Sequence, residues 1–158
     1  MAGPCPESVP MLKFLIPVDG SPAALLAVHH ALELVGHGLK ARFVVANVQE
    51  PANLYEVMVA HDPVVLQQVS EAAARDMMQP AVELLQAAGM QVETAPASGD
   101  VVPALMEAIE VHGCHGVIMG SHGAGGFKTA VLGSVSAEMA RSAPVPVTLV
   151  KPADDPED

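Results

Sequence analysis

Tryptophan is missing from this sequence, and aromatic residues make up only 3% of it. Single-stranded nucleic acid is commonly held by stacking its bases on aromatic side chains, so that class of partner is disfavoured. Positive charge is scarce too. Seven Lys and Arg face eighteen Asp and Glu, a formal net charge of −11. Affinity for a phosphate backbone or an anionic membrane comes mainly from Lys and Arg, so neither nucleic acid nor membrane is an expected partner. A nucleotide is not excluded, because backbone N–H groups and a metal ion offset its charge.

Only two cysteines occur, Cys5 and Cys114. They make no disulfide framework, and their scarcity fits a reducing compartment, hence an expected cytoplasmic location. No run approaches the ~20 apolar residues of a transmembrane helix. The opening MAGPCPESVP has neither the basic start nor the apolar run of a signal peptide. Its three prolines predict a flexible extension over residues 1–10, with Met11 as a second candidate start site. Residues 152–158 read as an acidic, solvated tail. Residues 11–151 are expected to form one domain.

What is abundant is aliphatic. Hydrophobic residues make up 51% of 158, enough for one sizeable core of Val, Leu, Ala, Ile and Met. Apolar runs at 12–18 and 41–48 predict buried strands. A weaker alternation at 90–97 predicts a more exposed third strand. GVIMG at 116–120 and PVTLVK at 146–151 predict the fourth and fifth. Helical segments fall between them. One covers 23–35, capped by Ser21 with Pro22 at its first position and stopped by the GHG at 36–38. A second runs from an Asp62 cap to Ala88, with Pro80 inside it expected to kink or split the helix. The others are expected at 101–111 and about 134–141. Strands alternating with helices predict an α/β fold, a parallel sheet with helices on both faces. Ligands of such sheets bind beyond the carboxyl ends of the strands, where strand order reverses.

The stretch GSHGAGGFKTAVLGS, Gly120 to Ser134, holds five glycines. It is not a P-loop: Phe127 and His122 stand where that pattern needs glycines. The dinucleotide pattern fails as well, because its last glycine falls on Lys128. Read as a spacing, the stretch is Gly120, two residues, Gly123, nine residues, Gly133-Ser134. Gly120 and Gly123 would let backbone approach a ligand where a Cβ would clash. Gly133-Ser134 would open a helix whose N–H groups and dipole face an anion.

This pattern resembles the universal stress protein family, specifically its ATP-binding class, whose mark is Gly-x2-Gly-x9-Gly-Ser/Thr. The resemblance runs from Leu12 to Lys151. It includes LIPVDGSPAALLAVHHALEL near the start and the segment from GVIMGSHG to APVPVTLVK near the end. It implies a single five-stranded Rossmann-like sheet of order 3-2-1-4-5 that binds ATP with Mg²⁺. Pro17, Val18 and Asp19 would lie against the adenosine part, and Val48 against adenine, with Met119 and Gly120 continuing that wall. Gly123, Gly133, Ser134, Val135 and Ser136 would meet the phosphates, with His122 inside the loop. Asp19 would contact the adenosine end or orient the metal. A homodimer through the last strand (146–151), an unidentified protein partner and at most weak ATPase activity are implied as well. Asn47 and Cys114-His115 depart from residues common in the family, His and Ala-Asp.

Alternatives remain. A nucleotidyl transferase or ATP pyrophosphatase would carry His-x-Gly-His or Ser-Gly-Gly-x-Asp, and neither is present. A non-nucleotide dimeric interaction module would keep the fold with an empty crevice. The HGCH at 112–115 suggests a metal but lacks the paired ligand spacing of zinc sites, so no metal ligand set is expected of the protein.

Overall fold

The computed structural model describes residues 11–50, 62–122 and 132–152. The elements are β1 Leu12–Pro17, α1 Pro22–Gly36, β2 Ala41–Gln49, α2 Pro63–Ala87, β3 Val92–Ser98, α3 Val101–His112, β4 Gly116–Gly120, α4 Ser134–Ser142 and β5 Val147–Val150. The strands form one five-stranded parallel sheet of order β3-β2-β1-β4-β5. Helices pack on both faces.

Apolar continuity decides which strands lie in the middle. All five residues of β4 are buried, as is most of β2. A strand covered on both faces has no polar side to show. β3, the alternating run, keeps only Ala95 buried and lies at one edge. β5 lies at the other.

Side chains alternate between two cores. Ile16, Val18, Val28, Phe43, Val45, Met78, Leu85 and Ile118 pack together on the α1–α2 face. Leu15, Val44, Leu105, Ile109, Val117, Met119 and Met139 pack on the α3–α4 face. α4 has only nine residues, too few to be stable alone in water. Met139, fully buried, supplies about 1.5–3 kcal/mol of apolar burial that holds it on the sheet.

The helix starts follow their caps. Ser21 accepts from the Ala24 N–H at 3.3 Å, with Pro22 next. Asp62 accepts from the Val64 N–H at 2.9 Å. Pro80, expected to kink or split α2, does not split it: the helix is one element of 25 residues. Pro80 removes one backbone N–H, but Ala74 and Met78 before it and Ala81 and Leu85 after it are buried in one core. Their shared face holds both halves of the helix on the same core. Among the described residues no helix is long and apolar enough to cross a membrane.

Candidate functional site

Strand order reverses between β1 and β4, which are hydrogen-bonded neighbours. Their carboxyl ends are where a parallel sheet takes its ligand. β1 leaves the sheet through a tight turn. The Val18 N–H donates to Ala46 at 2.8 Å. The Asp19 carboxylate accepts from the Ser21 N–H at 2.9 Å, a side-chain turn of the kind Asp favours. Gly20 has φ +82°, a region that L side chains rarely adopt. Ser21, buried, then caps α1.

β4 leaves the same end. The Ser121 N–H donates to Val150 at 2.9 Å, and its hydroxyl lies 2.9 Å from His122 Nδ1. The next described residues are Leu132 and Gly133, and two bonds tie this return to β4. The Gly133 N–H donates to the Ser121 carbonyl at 2.9 Å. The Ser136 hydroxyl donates to the Gly120 carbonyl at 2.8 Å. Gly133 and Ser134 thus stand beside the end of β4, with the N-terminus of α4 at the crevice. Gly133 is the N-cap and brings no side chain to the first N–H groups, which have no partner inside the helix. Ser134 is exposed and Val135 half-buried.

Gly120 has an internal reason to lack a side chain. A Cβ there would lie 2.9 Å from the Ala23 carbonyl oxygen and 3.2 Å from its carbon. The close approach is by the first turn of α1. Ser136, likewise, aims its hydroxyl inward at Gly120 and is buried.

The structure brings Pro17, Val18, Asp19, Met119, Gly120, His122, Gly133, Ser134, Val135 and Ser136 to one end of the sheet. Val48 joins them on β2, two residues beyond Ala46, the partner of Pro17. The apolar members do not share a face. Val18 packs with the α1–α2 core, whereas Met119, Val48 and Val135 pack with the α3–α4 core. Gly123 and the lysine of the loop, Lys128, lie outside the described residues.

Asn47, which the sequence marks only as a departure from the family's common His, is a participant. It is 3% exposed and donates to the Val18 carbonyl at 2.8 Å. Gln49 donates to its side-chain oxygen at 2.7 Å. The available signal was a lone carboxamide inside an apolar strand.

The HGCH segment lies at the opposite end of the sheet, and its members diverge. His115 Nδ1 accepts from the Lys13 N–H at 3.0 Å. His112 pairs with Glu93 at 3.1 Å. That contact, with a smaller contribution from the charge of Lys13, holds the Glu93 carboxyl below its usual range against an opposing burial effect. Burial pushes the Cys114 thiol up, which suits a packed hydrophobe rather than a thiolate. Among the described residues no group of three ligating side chains is placed to hold a metal ion.

The family model of the universal stress protein family matches residues 11–151. No curated protein matches the chain closely enough to count as a relative. Among solved structures, the hypothetical protein MJ0577 superposes with a TM-score of 0.75 at 24% identity, covering 91% of this chain and 98% of that one. A universal stress protein in complex with cAMP gives 0.63 at 24%, over 88% and 96%. A family member from Arabidopsis thaliana with AMP bound gives 0.65 at 16%, over 91% and 94%. At these identities the superpositions show the shared fold, and the family model shows the kinship. The chain belongs to the universal stress protein family.

Proposed function

We propose that this member of the universal stress protein family binds an adenine nucleotide, ATP with Mg²⁺, between the ends of β1 and β4, and acts as a stress-response sensor or adaptor. The observation that carries this reading is the place of α4. Two hydrogen bonds hold its glycine-capped N-terminus against β4 at the switch point. There its first N–H groups and dipole favour an anion. Relatives of the same fold are described with AMP and cAMP, which supports an adenine ligand.

The residues present fit such a ligand. Gly123, Gly133, Ser134 and Val135 would meet the phosphates, with Ser136 supporting them from below. Pro17, Val18, Asp19, Val48, Met119 and Gly120 would form the nucleoside wall, and His122 would stand at the loop entrance. Asp19, exposed just past the end of β1, would contact the adenosine end of the ligand. Mg²⁺, when bound, would neutralise phosphate charge in a chain that is itself strongly acidic. The nucleotide-binding unit is residues 11–151, in a cytoplasmic protein. β5, at the sheet edge, would pair two copies, and binding would alter the surface offered to a protein partner.

One observation favours a second reading, a dimeric interaction module without nucleotide. Gly120 and Ser136 are both accounted for by internal packing, so the fold alone would retain them. Gly123, Gly133 and Ser134 therefore discriminate. Calorimetric titration with ATP and Mg²⁺ tests the proposal, with Gly123→Val as the control. The wild type is expected to bind, and the variant to lose binding with its circular dichroism unchanged. A Gly123→Val chain that bound ATP normally would put the site elsewhere.

A further inference from the structure

β2 is apolar and largely buried, yet it contains Asn47. A buried carboxamide without partners costs ~1–3 kcal/mol, so each of its polar atoms calls for a partner. Each has one. Nδ2 donates to the Val18 carbonyl at 2.8 Å and reaches Met77 Sδ at 3.5 Å. Oδ1 accepts from Gln49 Nε2 at 2.7 Å. Gln49 Nε2 in turn reaches the same sulfur at 3.5 Å.

These contacts fall where the main-chain pairing stops. The register of β1 with β2 ends at Pro17 and Ala46. The side chain of Asn47 continues the ladder for one more carbonyl. The Val18 carbonyl and the Asp19 N–H share one rigid peptide plane. Pinning the oxygen toward β2 turns the opposite edge of that plane toward the β4 side. The next residues are the Asp19 turn and the Ser21 cap. α2 closes over the same turn, since a Cβ on Gly20 would lie 3.5 Å from Met77 Cγ.

We propose that Asn47 is a positioning residue for the nucleoside half of the ligand. It sets the Val18–Asp19 peptide and the Asp19 carboxylate from beneath, without itself lining the phosphate end. This rests on the nucleotide reading of the crevice.

Two measurements on Asn47→Ala and Asn47→His test it. The first needs no ligand: amide hydrogen exchange of the full chain by NMR. Asn47→Ala should speed exchange at Ser21 and Val18 several-fold and leave Val44 and Val45 unchanged. Asn47→His, which keeps a ring N–H donor of similar reach, should restore the wild-type rates. The second compares affinity for ATP with affinity for inorganic tripolyphosphate. Asn47→Ala should weaken ATP by about tenfold or more, the equivalent of 1.4 kcal/mol, and leave tripolyphosphate within about twofold.

Equal loss of both ligands would mean that Asn47 only supports the fold. Unchanged Ser21 exchange would mean that it does not hold the turn. Either result overturns the proposal. A wild-type chain that bound neither ligand would defeat the nucleotide reading itself, and the exchange rates would still decide whether Asn47 fixes the turn.

Discussion

The hydroxyl of Ser136 donates to the carbonyl of Gly120 at 2.8 Å, across sixteen residues of chain. Both ends of the glycine-rich segment are thereby fastened to each other before any ligand arrives. With the bond from Gly133 to Ser121, this clasp fixes α4 against β4.

Ser136→Ala should therefore destabilise the protein. It leaves a buried carbonyl without that donor, which costs about 1–3 kcal/mol. Urea unfolding should show a lower midpoint with an unchanged slope. An unchanged midpoint would mean that the clasp contributes nothing.

Gly120→Ala should be as damaging, for a steric reason. Its Cβ would press on the Ala23 carbonyl, which belongs to helix backbone and cannot swing aside. Overpacking of this kind costs about 1–3 kcal/mol. The loss should appear in thermal unfolding whether or not nucleotide is present. A variant of normal stability that only bound nucleotide poorly would return Gly120 to a purely ligand-facing role.

Ser134→Ala should behave in the opposite way. Ser134 is exposed at the start of α4, so its stability should stay within about 0.5 kcal/mol of the wild type. Its affinity for ATP should fall several-fold if the hydroxyl meets a phosphate. Calorimetry and urea unfolding on the same preparation separate the two effects.

At the far end of the sheet, Glu93 predicts a pH dependence. Its carboxyl sits below the usual value of 4.5, first because of the His112 contact and, to a smaller degree, because of Lys13. A depressed folded value means that the charged form stabilises the fold. That contribution is complete above the unfolded value and is lost as pH falls through the folded one. Compared with Glu93→Gln, the wild type should lose its advantage as pH falls through and below the ordinary carboxylate value of 4.5. A gap in urea midpoint that stayed constant over that range would contradict this.

Much of this architecture was legible because it is local. Apolar runs marked β1, β2 and β4. Ser21 and Asp62 announced their helices through bonds only two or three residues long. The glycine spacing pointed to the end of the sheet where strand order reverses. What stayed hidden is what the fold brings together from afar. Asn47 meets Val18 across 29 residues, and Lys13 meets His115 across 102. Neither contact leaves a periodic trace. Pro80 does not split α2, because the buried face on either side of it outweighs the local rule. Gly120 carries a further reason that its spacing could not show: a Cβ there would press on the Ala23 carbonyl of α1.

The most direct measurement is mass spectrometry of the purified protein, native and then denatured, followed by ATP titration of the stripped chain. The account predicts a co-purified adenine nucleotide whose binding ATP and Mg²⁺ restore. A clean protein that ignored millimolar ATP would contradict it and leave the edge strand β5 as the place to look for function.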